Sequence, residues 1–130
     1  MEYTYIDGDN IGLKIETSFL ENNELALIAI NGNVKESINQ ITTLLRDLRQ
    51  QIIFSGADGI ICKGMHLDIS EVLDYIRLNN KEMTFSIGTG NSLKDSYIAL
   101  RYAKSLSKNI AIKYSNGEFE IIDGKKTTKK

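Results

Sequence analysis

Ile52-Ile53-Phe54-Ser55-Gly56-Ala57-Asp58-Gly59-Ile60-Ile61-Cys62 (IIFSGADGIIC) decides the fold. Two β-rich runs flank a short Gly/Asp turn, which predicts a hairpin in the middle of the chain. Upstream, Val34, Ile38, Ile41, Leu45 and Leu48 alternate steps of four and three and predict a long amphipathic helix. Asn31-Gly32-Asn33 before it reads as a breaker, with a separate apolar run over Leu25–Ile30 assigned as helix. Further upstream, Glu2–Ile6 is a strand rich in Tyr, Thr and Ile. Asn10 is placed to cap a helix with Ile11, Ile15 and Phe19 on one side.

Downstream of the hairpin, Asp68 with Glu71 resembles a capping box for a helix burying Ile69, Val72, Leu73 and Ile76. Thr84–Ile87 reads as a strand ending in Gly88-Thr89-Gly90. Ser92 caps a helix with Leu93, Leu100, Ala103 and Leu106 inward. Ile110–Tyr114 and Phe119–Ile122 around Asn116-Gly117 predict a closing hairpin. The core order βαββαβ is that of a ferredoxin-like α+β sheet, with an extra helix and a C-terminal hairpin. The predicted domain spans 1–123, and the basic Gly124–Lys130 is expected to be a disordered tail.

Composition narrows the function classes. The 130 residues fit one domain, and 42% apolar with 25% charged content fits a globular core. A net charge of −1 gives no basic character to suggest duplex nucleic acid as partner. No apolar run or signal-peptide pattern suggests a membrane, and a single Cys62 suits the cytoplasm.

The chemistry concentrates in Tyr5-Ile6-Asp7-Gly8-Asp9-Asn10-Ile11-Gly12. In a βαββαβ sheet the first strand lies beside the central hairpin, so Asp7 at one strand end and Asp58 in the turn are brought close. Each acid alone is ordinary turn chemistry. Together they suit a hard divalent ion that also takes phosphate oxygens. Glycines 8 and 56 leave room for a triphosphate to approach. Arg101, Lys104 and Lys108 fall at steps of three and four, so a helix places them on one face, where they can meet phosphates or simply water. His66 has no partner nearby in sequence and reads as a loop residue. Cys62 reads as core.

These residues resemble the nucleotide-cyclase and palm-polymerase superfamily. DGDNIG at Asp7–Gly12 is similar to the first motif of the palm subunit of type III CRISPR complexes, and Ser55–Asp58 falls where relatives carry GGDD or GGDEF. SIGTG at Ser86–Gly90 and ALRYAKSLSKN at Ala99–Asn109 are similar to the late strand and helix. A palm this short resembles the stand-alone minimal CRISPR polymerases, over roughly residues 3–114. Ser55-Gly56-Ala57-Asp58 departs from GGDD, so Ala57 removes one acid, and LSKN replaces LGKN.

The resemblance implies two Mg²⁺ or Mn²⁺ ions held by Asp7, Asp58 and the Gly8 carbonyl. It places Asp9 and Asn10 near the metals and sugar, Gly56 against the nucleotide, and Lys104 and Lys108 on the triphosphate. It implies a synthase joining NTPs, with a lean to ATP, into a cyclic di- or oligonucleotide for anti-phage signalling. A homodimer is expected, with the product read by a separate effector protein. Two rivals stand beside this: a diguanylate-cyclase-like enzyme using GTP, and a catalytically silent nucleotide sensor suggested by Ala57.

Overall fold

The computed structural model describes residues 1–124. The predicted tail therefore lies, from residue 125 on, outside the described residues. Ten elements follow in order: β1 (Glu2–Gly8), α1 (Ile11–Leu20), α2 (Glu24–Asp47), β2 (Gln51–Gly56), β3 (Gly59–Gly64), α3 (Ile69–Asn79), β4 (Phe85–Gly90), α4 (Leu93–Leu106), β5 (Ala111–Ser115) and β6 (Glu118–Ile122). The strands form one sheet ordered β2-β3-β1-β4-β5-β6. Its first four positions reproduce the ferredoxin-like arrangement, and β4–β5 is the parallel pair.

Strand alternation divides the core into two layers. Ile6, Ile60, Cys62, Phe85 and Ile87 pack beneath α1, α2 and α3, through Ile11, Ile41, Leu45, Val72, Leu73 and Ile76. The other face of β4 and β5 takes α4, through Ala99, Ala103, Ile110 and Ile112. Gly88 makes this approach possible, since a Cβ there would stand 2.2 Å from the Leu100 backbone nitrogen. The closing hairpin is tied to α4 by Phe119, stacked on Tyr102 at 4.0 Å between ring centroids. Burial pushes the Cys62 thiol up to about 12, which agrees with its reading as core.

Several local expectations need correction. Asn31-Gly32-Asn33 does not break the chain; α2 runs through it without interruption. A mid-helix Gly costs only about 1 kcal/mol, which burial of Ile38, Ile41 and Leu45 farther along offsets. Phe19 is not on the inner face of α1 but 67% exposed. On α4 the buried line is Ser96, Ala99, Leu100 and Ala103, while Leu93 and Leu106 face outward. β4 begins at Phe85, one residue later than expected, and ends in Gly88-Thr89-Gly90, which pair with Tyr3–Tyr5 of β1. Asn10 precedes α1 in a left-handed conformation and its side chain caps nothing. The other caps are as expected: Asp68 accepts from the Glu71 amide and Ser92 from that of Asp95.

Candidate active site

The hairpin and β1 deliver the two acids to one end of the sheet. Asp7 pairs with Gly59 on one side and Ser86 on the other. The Gly8 amide donates to the Asp58 carbonyl at 3.0 Å, which locks the hairpin turn against the end of β1. Gly59 clears the space between them, because a Cβ there would meet Asp7 Oδ1 at 2.9 Å. The turn reduces to Ala57-Asp58, with Ala57 at φ 50°. That conformation costs a residue with a Cβ about 1 kcal/mol, a small strain spent on aiming Asp58. Gly56 ends β2 beside this turn, and the space its missing Cβ leaves is bounded by the Phe54 ring.

Electrostatics mark Asp7 as uncomfortable. Burial raises its pKa first and the Asp58 charge raises it further, while Lys104 only partly compensates. Tyr5, two residues earlier on the same face of β1, has its phenol pushed up by burial and by both acids, so it stays protonated. Sequence reasoning singled out no tyrosine here; the period of two along β1 was the available signal.

Asp9 is the opposite case. It is 3% exposed, and each oxygen accepts two bonds. Oδ1 takes Ser86 Oγ at 2.7 Å and Lys104 Nζ at 2.9 Å; Oδ2 takes Thr84 Oγ1 at 2.6 Å and the Asn109 amide at 2.9 Å. Burial alone raises its pKa, but these hydrogen bonds outweigh it and hold the carboxyl below the ordinary range. With both oxygens engaged inside the protein, what Asp9 offers the site is the placement of Lys104. Thr84, Ser86 and Asn109 were not foreseen in this role.

Lys104 reaches from α4 to the β1–α1 turn. Its Nζ lies 2.8 Å from the Gly8 carbonyl and 3.3 Å from Asp7 Oδ2. Lys108 is not on the helical face expected for it. It lies beyond the end of α4 at φ 59° and donates to Asn10 Oδ1 at 2.6 Å. Lys104, Lys108, Asn10, Asp7 and Gly8 thus converge, while Arg101 is exposed. His66 lies exposed after β3, at the far end of that strand from Asp58.

The donor set suits a hard divalent ion. Asp7, Asp58 and the Gly8 carbonyl offer oxygen only, and a cation between the two carboxylates would relieve the charge that Asp58 sets against Asp7. The Lys104 ammonium already sits on two of these groups, the Gly8 carbonyl and the Asp7 carboxylate. Among the described residues no three or more His, Cys, Asp or Glu side chains converge as a cage.

Beside Asp58 opens a cavity of about 590 Å³ between α1 and α2. Ile11, Ile15, Leu27, Ile28, Ile30 and Val34 give it apolar walls, with Ala57 and Asp58 at its edge and Asn31 supplying a side-chain amide. None of the described helices is long and apolar enough to cross a membrane.

The comparisons fall in line with this geometry. A diguanylate cyclase/phosphodiesterase from Caldicellulosiruptor saccharolyticus has a similar fold, with a TM-score of 0.54 at 18% identity over 92% of this chain and 78% of its own. No curated protein matches. The minimal CRISPR polymerase domain (mCpol) model matches residues 3–114. The chain belongs to the minimal CRISPR polymerase family and is a palm domain of the nucleotide-cyclase kind.

Proposed function

We propose that this protein is a nucleotidyltransferase joining NTPs, with ATP preferred, into a cyclic di- or oligonucleotide with release of pyrophosphate. The observation that carries this reading is the convergence of Asp7 and Asp58 beside an apolar cavity, with Lys104 and Lys108 close by. The cavity falls within the size range of small-molecule sites.

Asp7, Asp58 and the Gly8 carbonyl would hold Mg²⁺ or Mn²⁺, two ions per site. Such ions would lower the pKa of an attacking ribose hydroxyl and offset the charge of the α-phosphate and leaving pyrophosphate. The chain's own residues bind and orient. Lys104 and Lys108 neutralise the triphosphate as point charges. Asp9, held by Thr84, Ser86 and Asn109, fixes where Lys104 starts from. The α1–α2 cavity takes a base and shields it from water.

The cavity walls support the preference for adenine. Guanine carries an N1–H and a 2-amino group that need acceptors, yet apart from Asp58 at the edge, which the metal reading engages, the lining is apolar side chains and Asn31. Leaving such donors unpaired in a buried site costs on the order of 1–3 kcal/mol each. The diguanylate reading, favoured by the name of the structural relative, conflicts with these walls. The silent-sensor reading conflicts with the close approach of Asp7 to Asp58, which Lys104 only partly offsets and which a site without metal has no reason to keep.

One palm presents one such site, and closing a ring of two nucleotides needs two NTPs face to face. A symmetric homodimer supplies that and makes each attack effectively intramolecular. Family membership supports a role in anti-phage defence, with a separate effector reading the product. Incubation with each NTP plus Mg²⁺ or Mn²⁺, followed by mass spectrometry, tests the reading. A cyclic adenine nucleotide is expected; faster consumption of GTP favours the diguanylate reading, and no product from any NTP favours the sensor.

A further inference from the structure

Lys104 has more oxygen around it than an ammonium needs. Its Nζ lies 2.8 Å from Gly8 O, 2.9 Å from Asp9 Oδ1, 3.3 Å from Asp7 Oδ2 and 3.4 Å from Asp7 O. Three N–H groups cannot donate fully to four oxygens, so the arrangement resembles the coordination of an ion more than a set of hydrogen bonds. Two of these oxygens, the Gly8 carbonyl and the Asp7 carboxylate, belong to the donor set proposed for the metal. The side chain is only 17% exposed, so the ammonium gives up most of its water to sit there.

We infer that Lys104 is the resident cation of the metal-free site: its ammonium occupies the seat on Gly8 and Asp7 that a divalent ion takes, and it must leave before that ion binds. This rests on the assignment of Asp7 and Gly8 as metal ligands. A divalent ion and an ammonium on the same two oxygens would repel each other strongly at such range. The fold allows Lys104 to go. Asp9 keeps three other donors, from Ser86, Thr84 and Asn109, so releasing the lysine leaves no buried carboxylate bare. The side chain comes from α4 on a flexible stem, and an arriving triphosphate offers it a stronger partner. Metal and triphosphate therefore bind cooperatively: the phosphates draw off Lys104 and the vacated oxygens accept the ion, with the same coupling in either order. The waiting ammonium also keeps Asp7 from facing Asp58 without any nearby positive charge.

The test is Mn²⁺ binding without nucleotide, followed by electron paramagnetic resonance, in wild type, Lys104→Met and Lys108→Met. Lys108 is a nearby positive charge whose Nζ contacts Asn10 and not the acids, so it controls for net charge alone. Lys104→Met is expected to bind Mn²⁺ about tenfold more tightly than wild type, and Lys108→Met within about twofold of it. Equal gains in both variants, or none in Lys104→Met, overturn the inference. A second readout uses wild type only, in case the variant does not fold. The ¹⁵N-lysine spectrum should show a protected Lys104 Nζ signal that shifts and loses protection as Mg²⁺ saturates the protein. Saturation with that signal unmoved overturns the seat while leaving the metal reading intact. Failure of Mn²⁺ to bind Lys104→Met at millimolar concentration overturns the inference, and failure with a non-hydrolysable ATP analogue also present defeats the metal reading itself.

Discussion

Asp7 and Asp9 stand two residues apart at the end of β1, yet their surroundings treat them in opposite ways. The Asp7 region is open, shares its field with Asp58, and holds its carboxyl above the ordinary range through burial and that charge. The Asp9 region is closed, saturated by four donors from β4 and the residue before it, α4 and the turn before β5, and holds its carboxyl below the range. The difference separates a group whose burial one ammonium only partly offsets from one whose hydrogen bonds outweigh its burial. It also separates chemistry from scaffolding more sharply than the motif Asp-Gly-Asp does, where the two acids look alike.

Substitutions should pull these regions apart. The largest effect belongs to the open one: Asp7→Asn and Asp58→Asn each should lower product formation by on the order of 10³-fold or more, because the ions lose a charged ligand. Circular dichroism should show both variants folded. Near-wild-type turnover by either would place the chemistry elsewhere.

The closed region should answer in stability. Asp9→Asn should cost roughly 2–4 kcal/mol in urea unfolding at pH 7, since one buried oxygen acceptor becomes a donor facing donors. Because the folded pKa of Asp9 is depressed, its stabilisation is present above the unfolded value, near 3.9, and is lost as pH falls through the folded value. The gap between wild type and variant should narrow as acid is added. An unchanged gap down to the lowest pH that keeps the fold would remove Asp9 from its bracing role.

Gly59→Ala sharpens the boundary between the two. The added Cβ meets the end of the Asp7 side chain, which can swing away cheaply, so stability should change by less than about 1 kcal/mol. Product formation should nonetheless fall about tenfold, because the carboxylate moves off its position. Wild-type turnover in this variant would show that the placement of Asp7 over Gly59 is immaterial.

The smallest effect has a revealing sign. With its folded pKa raised, charged Asp7 opposes folding at neutral pH, and that penalty disappears as pH falls through the folded value. Asp7→Asn should therefore raise the Tm of the metal-free protein, on the order of a few degrees, while abolishing the further rise that Mg²⁺ gives wild type. A lower Tm would mean that Lys104 more than offsets the burial of Asp7.

The sheet order was legible because its signals are local: the Gly/Asp turn between two β-rich runs, the stepped apolar residues of α2 and α3, and the caps Asp68 and Ser92. The pairing of Asp7 with Asp58 followed from topology once the hairpin was placed. The support of Asp9 was not legible, because Thr84, Ser86 and Asn109 carry no local pattern and come from distant strands and loops. Nor was the apolar cavity, which exists because α2 continues through Asn31-Gly32-Asn33 and sets Leu27, Ile28 and Ile30 opposite Ile11 and Ile15. A breaker reading from composition missed a helix held by tertiary packing.

The central claim is that Asp7 and Asp58 form one cation site that engages a triphosphate. Anomalous diffraction from crystals soaked in Mn²⁺ and a non-hydrolysable ATP analogue tests it most directly. Manganese peaks should lie between the Asp7 and Asp58 carboxylates, in contact with the Gly8 carbonyl and the triphosphate, with the adenine between α1 and α2. Ordered nucleotide with no manganese at these two acids, or manganese bound at another group of residues, would contradict the account.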